Sequence, residues 1–237
     1  MFLAIDTATD RASVALGARA ADALEEEVVG ARRHAAALVP LVSRLLERAG
    51  VGLDVLTALA VADGPGSFTG LRVGAAMVKA LSSARALPLW TAPSLMVRAA
   101  GVAGQGAIVL AVSDALRGDV YAGVYRFHAG WVETVVAAAV HRPEALVERS
   151  PIPDVLVGEA QDAVVRGLEA WSGRAMIRPP EGAPHARSLI GLTALAGGAG
   201  KVAAGSWQPE YGRPAEAQAR WETAHGRPLP DPVGGSR

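Results

Sequence analysis

The segment Asp63-Gly64-Pro65-Gly66-Ser67-Phe68-Thr69-Gly70 constrains the fold of this chain more than any other. It follows a short apolar run, Leu59 to Ala62, and opens onto a helical pattern from about Thr69 to Arg85. Glycines 64, 66 and 70 with Pro65 force the backbone out of a buried strand, around a tight turn and into a helix N-terminus. Such a terminus is able to hold an anion; a purely structural turn has the same signature. Generic glycine-loop readings fail on spacing. A P-loop needs Lys where Leu71 stands, and the dinucleotide fingerprint needs Gly where Thr69 stands. A nucleophile elbow around Ser67 needs glycines at the positions of Pro65 and Thr69. Thr69 is the expected helix cap.

The helix that follows is apolar almost all round. Leu71, Val73, Ala75, Ala76, Met77, Val78, Ala80 and Leu81 leave a narrow polar stripe through Arg72 and Lys79. A helix of this kind is covered on more than one face. One face belongs to its own sheet; the other needs a second lobe or a second chain. Gly70 and Gly74, one turn apart, would admit a neighbouring backbone. The partner-interface reading therefore rests on Gly70, Leu71, Val73, Gly74, Met77, Val78 and Leu81, and a plain core helix is its rival.

Around this centre the pattern reads as α/β. Residues 2–6 form a short buried strand, 12–18 a second after a turn, and 23–29 a third, with helix as the competing reading because of Glu25-Glu26-Glu27. Leu38, Leu41, Val42, Leu45 and Leu46 repeat at helical spacing up to Gly50. A strand is expected at 87–91, and Pro93 starts another helix. A lobe boundary is expected between Gly101 and Gly106, after which the style repeats: a strand at 107–113, a hairpin from Val120 to Val140, a strand at 154–157, and helices at 160–171 and 185–199. The expected division is a first lobe of residues 1–103, a second of 104–222 and a frayed tail of 223–237.

Asp6, Thr7 and Thr9 directly follow the first strand. A carboxylate and two hydroxyls there could serve a nucleotide phosphate, or simply close an Asx-type turn. No two of the five histidines stand three to five residues apart, and the chain has no cysteine, so zinc-thiolate chemistry, disulfides and a Cys nucleophile are excluded and no metal site is expected. His34 reads as a surface or capping residue, and Asp114 and Asp119 as charges of a turn. Basic and acidic residues balance at 23 each, so the chain is no self-sufficient nucleic-acid module. The early charge at Asp6 and the lack of a long uncharged apolar stretch give a cytoplasmic protein as the expectation.

At this point the residues resemble a known family. Ile5-Asp6-Thr7-Ala8-Thr9 is similar to its opening motif, and His34 with Leu38-Val39-Pro40 to its first helix. Gly64 to Gly74 is nearly its diagnostic block, continuing into Lys79-Ala80-Leu81 and Pro93-Ser94-Leu95. Ser113 to Tyr121 resembles its second-lobe block, and Pro209-Glu210-Tyr211-Gly212-Arg213 with Ala215-Glu216-Ala217 its C-terminal signature. The family is bacterial TsaB, also called YeaZ. The resemblance implies a two-lobed actin-like ATPase (ASKHA, ribonuclease H-like) fold with a degenerate second lobe. It implies a non-catalytic subunit, without cofactor, of the machinery that makes threonylcarbamoyladenosine in tRNA. It also implies a heterodimer with the catalytic paralogue TsaD, a homodimer when alone, the ATPase TsaE in the complex, and tRNA contact only through the complex. In related proteins the helix after the glycine block forms the dimer contact. The alternative of another class is an actin-like enzyme, a kinase or a glycoprotease-type metallopeptidase. Asp6 and Thr7 offer at most half of the phosphate cradle such an enzyme needs, and the second lobe shows no matching glycine loop.

Elemental analysis of untagged protein is accordingly expected to find no stoichiometric transition metal; one zinc or iron per chain would overturn that expectation.

Overall fold

A computed structural model describes residues 1–30, 33–212 and 225–226. The residues of the C-terminal signature beyond Gly212, and nearly all of the expected 223–237 tail, lie outside the described residues. The first half runs β1 (Phe2–Asp6), β2 (Arg11–Gly17), β3 (Leu24–Val29), α1 (His34–Ala49), β4 (Ala58–Ala62), α2 (Phe68–Arg85), β5 (Leu89–Ala92) and α3 (Ser94–Ala100). The second half runs β6 (Ile108–Asp114), β7 (Val120–His128), β8 (Trp131–His141), α4 (Pro143–Arg149), β9 (Val155–Gly158), α5 (Asp162–Ser172), β10 (Met176–Ile177) and α6 (Ala186–Leu192). A short β11 (Gly200–Val202) follows. The order of strands and helices is the same twice over.

The pairing is duplicated too. In the first sheet the order is β11-β5-β4-β1-β2-β3, and in the second β10-β9-β6-β7-β8. β1 is antiparallel to β2 and parallel to β4, as β6 is to β7 and β9. This is the two-lobed actin-like arrangement. The second copy is reduced: β10 has two residues against four in β5, and α4 has seven against sixteen in α1.

The rule that successive strand residues face opposite sides sets the layers. On one side of the first sheet, Leu3, Ile5, Val14, Leu59 and Val61 pack under α1 and α2 with Leu38, Leu41, Leu45 and Val78. On its other side stand Ala4, Ala15, Ala60, Ala62 and Ala92. These small side chains let α6 lie close, with Ala186, Leu189 and Ile190 in the same cluster. α3 packs instead on β6, β7 and β9 of the second sheet. Each half thus lends its third helix to the other half's sheet. α4 and α5 close the outer side of the second sheet through Leu146, Val165 and Leu168.

Two expectations change. The helix expected at 185–199 ends at Leu192, whose carbonyl accepts the Leu195 and Ala199 amides as the chain turns towards β11. The stretch 104–222 does not keep to one sheet, since β11 pairs with β5 and α6 lies on the first sheet. The strand reading of 23–29 holds, and the glutamates explain why. Alternate faces give each its own cation: Glu25 meets Arg187, Glu26 meets Arg44 and Arg48, and Glu27 meets Arg11.

One buried charge fastens the exchanged helix. Arg98 of α3, 1% exposed, donates to the Val112 carbonyl at 2.8 Å and to Glu159 at 2.8 Å. Gly158, at φ +135°, gives it room, since an added Cβ would come within 2.8 Å of the guanidinium. Arg98→Ala removes the shorter of the two hydrogen bonds to the Val112 carbonyl, which keeps the Glu159 amide at 3.4 Å, and leaves a void; urea unfolding should show a loss of about 2–4 kcal/mol.

Candidate functional site

The site foreseen at the end of β1 is built from that strand's turn and the glycine loop. Asp6 is buried, and its Oδ1 accepts the Ala8 amide at 2.9 Å, which is the Asx-type closure. Thr7, fully buried, donates its hydroxyl to the Gly70 carbonyl at 2.8 Å. Thr9 stays local and accepts the Arg11 amide at 3.2 Å. So Asp6 and Thr7 are both buried but on opposite sides of the sheet, Thr7 against α2 and Asp6 towards Arg98, Glu25 and His185, and Thr9 serves only its own turn.

The glycine loop is seated on this turn backbone to backbone. The Ser67 amide donates to the Ala8 carbonyl at 2.7 Å. A side chain at Gly66 would overlap the Ala8 carbonyl, and one at Gly70 the Thr7 carbonyl. A Cβ at Gly74 would come 2.5 Å from the Thr7 hydroxyl. Gly64, at φ +112°, exchanges hydrogen bonds with Ser94, and a side chain there would strike the Glu210 carbonyl. The helix cap is Ser67, whose Oγ accepts the Gly70 amide at 3.2 Å, and not the expected Thr69, which is already helical and exposed. His34 is not a surface residue: it is 1% exposed, and its Nε2 lies 3.1 Å from the Asp10 carbonyl.

The geometry divides the seven residues of the interface expectation. Gly70, Leu71, Gly74 and Val78 are buried within this chain, the two glycines against Thr7. Val73, Met77 and Leu81 are half-buried beside the α1–sheet core. The outward face of α2 carries Arg72, Ala76, Ala80, Ser83 and Ala84. The small residues that admit a close neighbour inside the chain and those that face outward are therefore different sets. Arg72 lies over the Phe68 ring at 5.4 Å, and Lys79 over Trp207 at 5.8 Å.

The electrostatics of the cleft involve residues that the sequence reading passed over. Burial pushes the Asp6 carboxyl up to about 6; the Ala8 amide, Arg98 and His185 oppose that rise, and Glu25 adds to it. Burial likewise raises Asp63 to about 6, against a hydrogen bond with Thr91 and with help from Glu210. Tyr125 is raised by burial and by Asp63. Glu25 goes the other way, down to about 2: burial works against ionisation, but hydrogen bonds from His185, Ser13 and Arg187 prevail. Arg98 had a visible signal, one cation within the apolar run 95–100. Asp63 had one in its place at the end of a buried strand.

At the matching place in the second sheet, Asp114 Oδ1 accepts the Leu116 amide at 2.7 Å, as Asp6 does for Ala8. Among the described residues, no hydrogen bond seats a glycine loop on this turn as Ser67 seats one on Ala8. Leu116 and Arg117 take positive φ there, and Leu116 is exposed. Among the described residues, no group of three or more His, Asp or Glu is placed to hold a metal ion, and no helix is long and apolar enough to cross a membrane.

Stability should follow the buried carboxyls. Asp6 and Asp63 have folded values above their unfolded ones. Their stabilising share is full below about pH 4 and is lost as pH rises through about 6. At about 1.4 kcal/mol per unit, Asp6 alone accounts for on the order of 2–3 kcal/mol. Melting temperature is expected to fall from pH 5 to pH 8, and Asp6→Asn should flatten that fall. An unchanged slope in the variant would refute the assignment.

Comparison with known proteins agrees with this architecture. The family model described as TsaD, tRNA N6-adenosine threonylcarbamoyltransferase, matches residues 28–182. The tRNA threonylcarbamoyladenosine biosynthesis protein TsaB of Escherichia coli is 38% identical over 172 residues, covering 71% of this chain and 72% of that protein. The protein of the same name from Bacillus subtilis is 28% identical over 235 residues, covering 92% and 96%. The structure of YeaZ from Pseudomonas aeruginosa superposes with a TM-score of 0.69 at 30% identity, covering 89% of this chain and 98% of that one. The relatives matched along most of their length carry the TsaB or YeaZ name, and the chain belongs to the TsaB (YeaZ) family of tRNA threonylcarbamoyladenosine biosynthesis proteins.

Proposed function

We propose that this chain is a non-catalytic scaffold subunit for threonylcarbamoyladenosine formation in tRNA, acting in the cytoplasm. It pairs with the catalytic paralogue TsaD, forms a homodimer when alone, joins TsaE in the complex and meets tRNA only through that complex. The observation that carries the reading is α2. Its inner glycines are consumed by the chain's own turn, while its outer face presents Ala76, Ala80, Ser83 and Ala84 beside half-buried Val73 and Met77. Small residues along an exposed helix let a second helix approach closely, and flanking apolar side chains supply the contact area. The interface is thus centred on Ala76 and Ala80, with Val73, Met77 and Leu81 at its margin.

A second observation supports the absence of chemistry. The turn bearing Asp6 and Thr7 is a vestigial phosphate site, closed on one side by the glycine loop, and its counterpart at Asp114 has no loop to complete a cradle. The working division is a first lobe of about 1–103 and a second of about 104–222, with α6 and β11 returned to the first.

Gly74→Arg, a natural choice for breaking a small-residue contact, should unfold the chain, because the side chain would enter the space of Thr7. Ala76→Arg and Ala80→Arg are the informative variants. Both should keep the native circular dichroism, run as monomers in light scattering, and lose capture of TsaD and tRNA modification in the reconstituted system. Folded variants that still dimerise and support full modification would place the interface elsewhere. Calorimetry of the isolated chain with Mg-ATP is expected to show no tight binding. A micromolar dissociation constant, about −8 kcal/mol, would restore the kinase-like alternative.

A further inference from the structure

The ends of β1 and β6 that carry Asp6 and Asp114 are not the only meeting place of the two sheets. A cavity of about 800 Å³ opens at the opposite ends. The pairings fix that position: Gly17, where β2 ends, is opposite Phe2 at the start of β1, and Arg126, near the end of β7, is opposite Ile108 at the start of β6. One wall is Ala20 and Ala21, just beyond β2; a second is the connecting segment 100–105 with Phe127 and His128; α6 and the residues around it form the third. The size is that of a small-molecule site, and such sites favour the seams between packed units.

Its chemistry is one-sided. Phe127, Leu192 and Leu195 supply apolar surface, and His128, His185 and Arg187 supply cationic or donor groups. Among the described residues no Asp or Glu lines the cavity. Two carboxylates lie behind its walls: Glu133 stands 3.7 Å from His128 Nε2, and Glu25 is already engaged, accepting the Ser13 hydroxyl at 2.7 Å, the Arg187 amide at 3.2 Å and Arg187 Nε at 2.6 Å, with His185 Nδ1 at 3.3 Å. Among the described residues Arg187 meets a carboxylate through Nε, and its two terminal nitrogens are left for another acceptor. Gly191 keeps the space open, since the nearest atom to a Cβ there is the Ala20 methyl at 3.4 Å.

We propose that this cavity is a binding site for a small amphipathic anion, a compact apolar body bearing one carboxylate or phosphate, separate from the turn that carries Asp6. The apolar body rests on Phe127, Leu192 and Leu195, and the anionic group is taken by Arg187 with the two histidines. An arginine fork favours planar, multidentate oxyanions over a neutral group of equal size. Because its walls come from both halves of the chain, an occupant bridges the connecting segment to α6.

The test uses the full chain and two probe pairs: octanoate against 1-octanol, and adenosine monophosphate against adenosine. Amide NMR shifts at Ala21, Gly101, Gly104 and Gly191 locate binding, and displacement of the fluorescent dye anilinonaphthalene sulfonate gives affinity. At least one anion should shift those amides and bind about tenfold or more tightly than its neutral partner; which anion does so separates a carboxylate from a phosphate ligand. Arg187→Gln should weaken binding about tenfold. Gly191→Leu should abolish it, and Ala21→Trp, on an exposed turn, gives the same readout if the helix variant fails to fold. The proposal is overturned if neither anion shifts these amides at millimolar concentration, if neutral partners bind equally well, or if a folded blocking variant binds unchanged.

Discussion

The rest of the structure depends on the seating of the glycine loop on the β1–β2 turn. Ser67 donates to the Ala8 carbonyl, Thr7 donates to the Gly70 carbonyl, and Gly66, Gly70 and Gly74 have no room for a side chain. This contact fixes where α2 begins and how near it lies to β1. It also decides which side of α2 is left outward. Motif and interface are thus two sides of one helix, the glycines facing in and the alanines facing out.

The second organising constraint is the exchange of third helices. α3 leaves the first half to lie on the second sheet, and α6 returns the favour. Arg98 secures one crossing by reaching Val112 and Glu159. The Ser13–Glu25–Arg187 network secures the other, with Ser13 Oγ accepting the Ala186 amide at 3.0 Å as well. Each crossing is held by an arginine paired with a glutamate, one at the end of α3 nearer the second sheet's strand ends and one at the start of α6. Alanines 4, 15, 60, 62 and 92 make the second crossing possible, so part of the chain's alanine content is a packing requirement.

Much of the fold was legible in the sequence, because apolar periodicity reports strands and helices directly. The opening strands, the helix over 34–49, the glycine turn and the hairpin over 120–141 all stand where the pattern put them. What escaped was whatever depends on distant neighbours. β11 is three residues long and gains its identity only from β5. His34 is buried because Asp10 and Gly70 close over it, which no local pattern encodes. The site residues Asp6 and Thr7 were legible as a turn. The orientation of Gly70 and Gly74 was not, since helical spacing shows that two residues share a face but not what that face meets. Arg98 and Asp63 were visible as anomalies, charges set among apolar residues, yet Arg98 finds its partners in the other half, and Asp63 meets Thr91 of the neighbouring strand and Glu210 beyond residue 200.

The exchange of helices has a consequence for how the chain comes into being. When the first hundred residues leave the ribosome, their sheet has an alanine face with nothing on it and an open edge at β5. Among the described residues, α6 covers the first and β11 the second. The nascent first half must therefore wait, unsealed, through the synthesis of almost the whole second half, with α3 exposed until its own sheet exists. Exposed apolar faces and free strand edges are the features that invite aggregation during synthesis. A face built from alanine rather than leucine keeps that waiting surface only weakly adhesive.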